Sequence, residues 1–181
     1  MDKFFYPRSL VVIGASVTRL NLGHIIVLNN RQKGYEGNIY GVGREEGEIA
    51  GARVYDSVDK LPEIPEVAII ISPAHTVADF MEACGRKGIK RIVIESGGFS
   101  EYGEDQQTLE QKLLEIAERY GMRFIGPNCI GTVNFDAKMM MPFGFFPATP
   151  SGGRVAMIVQ SGGVGSSYLG EFGDNAIIPG K

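Results

Sequence analysis

The stretch VAIIISPAHTVADFMEACGRKGIKRIVIESGG, residues 67 to 98, contains one complete strand–helix–strand pattern. Its first five residues, 67–71, are continuously apolar, which is typical of a strand buried on both faces with helices above and below it. The helical pattern His75–Lys87 runs into Gly88, a residue suited to a left-handed helix terminus. A second β-branched run, Arg91–Glu95, follows at once. The stretch therefore predicts two parallel strands joined by a helix.

The same alternation continues on both sides of this unit. The predicted strands are Leu10–Ile13, Ile39–Val42, Val67–Ser72, Arg91–Glu95 and Arg123–Ile125. The predicted helices lie near Gly23–Lys33, His75–Lys87 and Thr108–Tyr120, the last with a core-facing stripe of Leu109, Leu113, Ile116 and Tyr120. This pattern predicts the α/β class, with a Rossmann-like doubly wound parallel sheet of about five strands. We expect that domain to span residues 1–133.

Composition and charge exclude several classes of function. The chain has 18 Lys and Arg against 21 Asp and Glu, a formal charge of −3, and no basic run that would follow a nucleic-acid backbone. Its two cysteines are too few for a disulfide framework. The N-terminal apolar run of six residues is too short for a signal peptide. We therefore expect a cytoplasmic protein without a nucleic-acid partner or a membrane segment.

A glycine-containing loop, VVIGASVTRLNLGHI (residues 11–25), joins the first strand to the first helix. Ligands of such sheets bind beyond the carboxyl ends of the strands, and a helix N-terminus there offers free N–H groups and a partial positive charge. Gly14 permits a tight turn, Ser16 offers a hydroxyl and Arg19 offers a charge. The loop predicts a phosphate-bearing ligand, although its glycine spacing is not GxGxxG.

The end of the second strand narrows the choice of ligand. Domains that bind NAD place Asp or Glu there to hold the ribose hydroxyls, whereas this chain continues Val42-Gly43-Arg44. An arginine suits a phosphate on the ribose, as in NADP or in the 3′-phosphate of coenzyme A (CoA). An ordinary surface arginine is the alternative interpretation.

Two further strand ends contribute to the same edge of the predicted sheet. Pro73, within Ser72-Pro73-Ala74, offers a flat apolar wall to an adenine or a pantetheine. Ser96-Gly97-Gly98 brings bare backbone close to whatever occupies the crevice. Each segment alone is only a turn, but we expect the two together to line one crevice at this edge of the sheet.

The C-terminal part of the chain starts a second pattern. Residues 134–153 contain three consecutive methionines and three prolines, and we expect a connector that packs on its own domain. A strand is predicted at Arg154–Val159, followed by the glycine loop QSGGVG, residues 160–165, and a helix start. We interpret residues 154–181 as the incomplete start of a second domain.

The motifs VVIGAS, SPA, GGFSEYGE, RFIGPNCIG and VQSGGVG together resemble the NDP-forming acyl-CoA synthetases, relatives of the succinyl-CoA synthetase α subunit. The resemblance runs from about Pro7 to Gly165, and its most specific part is the GPNC turn, Gly126–Cys129. It implies a CoA-binding first domain and a truncated, flavodoxin-like second domain. The family joins a carboxylic acid to CoA with a nucleoside triphosphate, through an acyl phosphate and a phosphohistidine.

The resemblance also implies residue roles. The implied CoA-binding residues are Gly14, Ala15, Ser16, Thr18, Arg19, Arg44, Ser72, Pro73, Ala74, Glu95, Ser96, Gly97 and Gly98. Those implied to face the phosphate or the phosphohistidine are Asn128, Cys129, Ser161, Gly162 and Gly163. Arg44 stands where the succinyl enzymes typically have Lys, which keeps the charge but changes the donor geometry.

The catalytic histidine and the ATP-grasp portion that handles nucleotide match nothing in this chain, since His24 and His75 correspond to no such position. We therefore expect a chain that is inactive alone and that has either an ATP-grasp β subunit or further domains of the same enzyme as partner. A fragment, a truncated product and a natural short protein all remain open, as does the acyl substrate.

Two other functions compete with this interpretation. The first is an NADP-binding oxidoreductase domain, and the second is a stand-alone CoA-responsive regulator whose apolar segment 139–146 docks a partner protein. An exposed sheet edge would also permit a homo-oligomer.

Cys129 has no histidine in its motif, so a buried thiol is favoured over a nucleophile, and Cys84 is expected in the core. No Cys/His cluster has metal-ligand spacing.

Overall fold

The computed structural model describes residues 2–18, 21–99, 107–144 and 156–171. The strands are β1 (Ser9–Ile13), β2 (Asn38–Val42), β3 (Gly47–Ile49), β4 (Ala52–Tyr55), β5 (Val67–Ile70), β6 (Arg91–Ile94), β7 (Arg123–Ile125), β8 (Val133–Asn134) and β9 (Met139–Met140). The helices are α1 (Leu22–Lys33), α2 (Ala74–Lys87), α3 (Gln107–Tyr120) and α4 (Gly162–Glu171).

The main sheet has the strand order β3-β4-β2-β1-β5-β6-β7. All neighbours in it pair in parallel except β3, which pairs antiparallel with β4. The order reverses direction at β1, where the chain moves first to β2 and later to β5, so the sheet is doubly wound. The predicted Rossmann-like fold is confirmed, and its five strands and three helices lie where predicted to within one or two residues.

The predicted number of strands was too low, because the sequence reading missed the hairpin β3–β4. Its strands have only three and four residues, and its turn is Ala50-Gly51 with φ of 46° and 81°. Two positive φ angles are what a two-residue hairpin turn needs. The alternating apolar residues Ile49, Ala52 and Val54, buried around this turn, were the available signal.

The predicted strand at 154–159 is wrong over its described part. Residues 156–159 form no strand, whereas α4 starts at Gly162, as the glycine loop predicted. A strand exists only when a neighbour supplies its hydrogen bonds, and residues 156–159 pair with no strand within the described ranges. The division of the chain at residues 133 and 153 stays a prediction.

Hydrophobic clusters cover both faces of the main sheet, because side chains alternate along each strand. Val11 and Ile13 face α2 and α3, where Met81, Cys84, Leu113 and Ile116 are buried. Leu10 and Val12 face α1 and β9, where Ile26, Val27, Met139 and Met141 are buried. Burial of one such aliphatic side chain contributes about 1.5–3 kcal/mol to folding. The predicted double burial of the strand after residue 66, the α3 stripe and the core position of Cys84 are all confirmed.

Two asparagines of α1 hold the methionine-rich segment against the domain. The amide of Asn30 donates to Met140 O at 2.5 Å and accepts from Met140 N at 2.9 Å. The Asn29 amide donates to Pro142 O at 3.2 Å and to Gly144 O at 2.7 Å. The segment was expected to pack on its own domain, and it does so at these positions. The buried methionines 139–141 cannot form the exposed docking surface that the regulator hypothesis needs.

Candidate functional site

Four strand ends that the sequence analysis singled out meet at one edge of the sheet. Ile13, the last residue of β1, is the register partner of both Val42 in β2 and Ile70 in β5, and Ile70 pairs with Ile94 in β6. The loops that follow these strands therefore leave the sheet side by side. This edge, which we call the mouth, contains the residues that follow β1, β2, β5 and β6.

The loop after β1 is pressed against its neighbours, which explains its glycines. Gly14 has a φ of 97°, and a Cβ there would lie 2.0 Å from Ile71 O. Within α1, a Cβ on Gly23 would lie 2.8 Å from the Cα of Ala15. The helix can therefore start directly over the loop only because both positions lack a side chain.

Asn21 caps α1 and also fastens the loop to it. Its Oδ1 accepts from His24 N at 2.9 Å and from Ser16 N at 3.1 Å. Nδ1 of His24 lies 3.0 Å from Ser16 O, and Thr18 N donates to Ser16 Oγ at 3.2 Å. The Ser16 hydroxyl keeps its own hydrogen for a ligand, whereas its amide is already used. The sequence analysis missed the roles of Asn21 and His24, and Arg19 lies outside the described residues.

Arg44 follows β2 at the mouth and is exposed. The residue before it, Gly43, touches the first loop so closely that a Cβ there would lie 1.9 Å from Ala15 O. Arg44 makes no ion pair with the residues that the structure describes. Its guanidinium is therefore available to a phosphate beside the first loop.

The segments after β5 and β6 are bonded to each other. Ser96 Oγ accepts from Ser72 N at 3.0 Å and lies 3.4 Å from Ile70 O. Thr76, in the first turn of α2, lies with its Oγ1 3.0 Å from Ser72 Oγ and 2.7 Å from Pro73 O. Gly98 has a φ of 100°, and a Cβ there would lie 3.2 Å from that of Ala74. Pro73 and Gly97 are exposed on this surface.

The GPNC turn reaches the same place from β7. Asn128 N donates to Ser96 O at 3.0 Å, and the Cys129 thiol donates to Ile94 O at 3.3 Å. Gly126 has a φ of 101°, and a Cβ there would lie 2.3 Å from Ile94 O. Burial raises the pKa of Cys129 to about 11, so the group is a neutral thiol at pH 7. A thiol of this kind is a poor nucleophile, as expected.

A cavity of about 380 Å³ separates the GPNC turn from α4. Cys129 and Gly162, both predicted to face phosphate, line it, and a Cβ on Gly162 would lie 2.9 Å from Ile130 Cγ2. Ser161 caps α4, since its Oγ accepts from Val164 N at 3.4 Å. The structure thus brings the GPNC turn and the start of the QSGGVG helix together, and Asn128, Ser161 and Gly163 are exposed beside them.

Glu95, the residue after β6, is buried without a partner. It is 5% exposed, and neither carboxylate oxygen has a hydrogen-bond partner among the described residues. Burial raises the pKa of this carboxyl well above its usual value. Glu95 therefore keeps its proton to a higher pH than an exposed glutamate does. Sequence reasoning placed it at the site but gave no sign of this burial.

The described ranges contain neither a metal-binding group of side chains nor a membrane-spanning helix. No three or more His, Cys, Asp or Glu residues are grouped so that they could hold a metal ion. No described helix has the length and apolar character that crossing a membrane requires.

Residues 8–134 match the family model described as the CoA binding domain. This chain belongs to the CoA binding domain family. The matched range begins just before β1 and contains every loop of the mouth, so the resemblance found in the sequence is confirmed. The CoA binding domain is therefore the part of the chain whose site geometry is described above.

Two curated relatives are ligases. The chain is 41% identical over 174 residues to acetate–CoA ligase [ADP-forming] I subunit alpha of Pyrococcus furiosus, covering 94% of this chain and 37% of that protein. It is 33% identical over 185 residues to 4-hydroxybutyrate–CoA ligase [ADP-forming] of Nitrosopumilus maritimus, covering 95% of this chain and 26% of the relative.

A solved structure agrees with these relatives. The apo form of dinucleotide forming acetyl-coenzyme A synthetase 1 from Ca. Korarchaeum cryptofilum matches with a TM-score of 0.87 at 32% identity, covering 95% of this chain and 37% of that one. The chain therefore spans only about a quarter to two fifths of these relatives' length.

Proposed function

We propose that this chain binds CoA or acyl-CoA at the mouth and is the CoA-binding module of an NDP-forming acyl-CoA synthetase. The observation that carries the proposal is the convergence of the loops after β1, β2, β5 and β6 at one edge, within the range that matches the CoA binding domain. CoA is then a substrate of the assembled enzyme rather than a resident cofactor.

The residues along the mouth are suited to different parts of the CoA molecule. The first turn of α1 and the Ser16 hydroxyl are suited to the diphosphate, because helix N-termini favour anions. Arg44, with Arg19 as a second candidate, is suited to the 3′-phosphate. Ser72–Ala74 and Glu95–Gly98 then border the adenine and the pantetheine arm, and the thiol end points toward the GPNC turn.

The complete reaction needs parts that this chain does not contain. In the proposed enzyme a carboxylic acid, CoA and a nucleoside triphosphate give acyl-CoA, the nucleoside diphosphate and phosphate, through a phosphohistidine outside this chain. An ATP-grasp subunit or further domains would supply that chemistry. The cavity beside the start of α4, lined by Cys129 and Gly162, is the place where we expect the GPNC turn and the QSGGVG helix to face the phosphate.

Calorimetric titration with CoA, 3′-dephospho-CoA and NADPH tests the binding proposal. We expect CoA to bind, and dephospho-CoA to bind roughly tenfold more weakly, a difference of about 1.4 kcal/mol. Arg44→Ala should remove that difference. Arg123→Ala is the matched control, because Arg123 is an exposed arginine at the opposite, amino end of β7. Micromolar binding of NADPH without binding of CoA would refute the proposal in favour of an NADP-binding domain.

A further inference from the structure

The unpartnered carboxyl of Glu95 lies where two loops of the mouth meet the GPNC turn. Leaving a buried polar group without a partner is costly, and native structures rarely do so without a reason. The next residue, Ser96, bonds to Ser72 on one side and to Asn128 on the other. The backbone around Glu95 is therefore held in place while its carboxyl is left unused.

A glycine separates this carboxyl from the cavity. Gly131 has a φ of 71°, and a Cβ there would lie 3.1 Å from Glu95 Oε1 and 2.8 Å from Met141 Cβ. Both Gly131 and Cys129 line the cavity of about 380 Å³. Glu95 therefore lies directly behind Gly131, whose missing side chain leaves room for the carboxyl, and it does not itself line the cavity in the ligand-free chain.

Provided that the proposed function is correct, we propose that Glu95 determines specificity for the acylated form of the ligand, by donating a hydrogen bond from its neutral carboxyl to the thioester carbonyl of acyl-CoA. In the proposed binding mode, the thioester of acyl-CoA lies at the end of the pantetheine arm, beside the GPNC turn. A carbonyl oxygen is a good acceptor for an O–H donor, whereas the free thiol of CoA is a weak one. The neutral acid therefore favours acyl-CoA over CoA.

The charge state of Glu95 controls this preference. The carboxylate has no hydrogen to donate and repels the carbonyl oxygen, so ionisation should abolish the preference. Burial raises the pKa of Glu95 well above its usual value and so favours the donor form. Cys129 is the titratable neighbour on the facing turn, and its own raised pKa of about 11 keeps it uncharged over the same range.

The test compares the affinities for acetyl-CoA and CoA by calorimetry between about pH 6 and about pH 9, for the chain and three variants. In the unchanged chain, acetyl-CoA should bind roughly 3- to 10-fold more tightly than CoA at the lower pH, and this ratio should fall toward one as the pH rises. Glu95→Gln keeps a neutral donor, so its ratio should be independent of pH. Glu95→Leu has no donor and should bind both ligands equally at every pH.

Glu115→Gln, an exposed acid on α3, is the matched control and should behave as the unchanged chain does. If Glu95→Leu does not fold, the pH profile of Glu95→Gln decides alone. Equal ratios for the unchanged chain and Glu95→Leu, with CoA still bound, would overturn the inference and leave the proposed function standing. A ratio that still varies with pH in Glu95→Gln would also overturn it. Absence of binding of either ligand to the unchanged chain would refute the proposed function itself.

Discussion

The side-chain oxygen of Ser96 accepts a hydrogen bond from the backbone amide of Ser72 at 3.0 Å, which joins the segment after β5 to the segment after β6. Both segments belong to the mouth. Since Asn128 N also donates to Ser96 O, this one residue links three loops that come from three strands. The shape of the proposed pantetheine path depends on it.

Ser96→Ala should therefore weaken CoA binding. The substitution leaves the Ser72 amide without its acceptor, and we expect a loss of about 1 kcal/mol in the free energy of unfolding and a roughly 3- to 10-fold loss in CoA affinity. Urea unfolding and calorimetry measure the two effects.

Ser9→Ala is the matched control for Ser96→Ala. Ser9 Oγ accepts from the backbone amide of Glu66 at 3.0 Å, a bond of the same kind at the opposite end of β1. This variant should lose a similar free energy of unfolding while its CoA affinity stays unchanged. An equal loss of affinity in both variants would mean that Ser96 acts only through stability.

Gly14→Ala should damage the fold as well as the site. The new Cβ would meet Ile71 O at 2.0 Å in a backbone with φ of 97°, and the backbone atom cannot move aside cheaply. We expect a loss of more than about 3 kcal/mol in the free energy of unfolding. Gly51→Ala is the comparison, since φ there is 81° but no atom lies within 4 Å, and it should cost only about 1 kcal/mol. Equal losses would show that the contact with Ile71 is not tight.

Glu95 should make the chain less stable as the pH rises. Its pKa in the folded chain is raised above the ordinary value of 4.5, so between these two values the folded chain binds more protons than the unfolded one. The stability contribution is therefore fully present below about pH 4.5 and is lost as the pH rises through the folded pKa. Unfolding of ligand-free chain at several pH values should show this slope, and Glu95→Gln should lack it. A slope that survives the substitution must arise from another group.

Glu66 should give stability the opposite dependence on pH, because its pKa is lowered in the folded chain. Burial alone would raise the pKa of its carboxyl, but hydrogen bonds from Lys3, from the Arg8 amide and from the Arg8 guanidinium outweigh burial and lower the pKa to about 2. Its contribution is present above the ordinary value of 4.5 and is lost as the pH falls toward about 2. We expect Glu66→Gln to flatten the acid limb of the stability profile by on the order of 1 to 2 kcal/mol, because solvent screens Arg8.

Glu36→Gln is the comparison for that measurement. Glu36 is exposed, and its nearest ion-pair partner is Lys138 at 3.6 Å. Exposed pairs of this kind contribute little to stability, so the acid limb of this variant should match that of the unchanged chain. An acid limb that is equally steep in Glu66→Gln would contradict the assignment to Glu66.

Hydrophobic periodicity was sufficient for the central strands and the three helices, because their patterns follow directly from burial on a two-sided sheet. The hairpin at Ala50-Gly51 escaped because strands of three and four residues give little periodicity. The predicted strand at residues 154–159 failed over its described part, residues 156–159, for a different reason, because a strand also needs a neighbouring strand to supply its hydrogen bonds. Local sequence could not reveal the bonds from Asn29 and Asn30 to residues more than 100 positions away.

The same limit applies to the site. The glycines and the predicted strand ends were sufficient to predict the position of the mouth, because a glycine after a strand indicates a tight turn there. The burial of Glu95 depends on how loops distant in sequence pack, and the two hydrogen bonds that Asn21 accepts, from His24 N and from Ser16 N, depend on how the first loop folds against α1. Both features therefore became visible only in the structure.

The grip of Asn29 and Asn30 on residues 140–144 has a mechanical consequence. Both asparagines belong to the helix whose opposite end faces the proposed diphosphate. A displacement of the chain at Gly144 would therefore move α1, and with it the backbone amides of its first turn, which lie about two turns away from Asn29. In the proposed binding mode, the position of the chain that follows Gly144 and the binding of the CoA diphosphate are therefore coupled through α1.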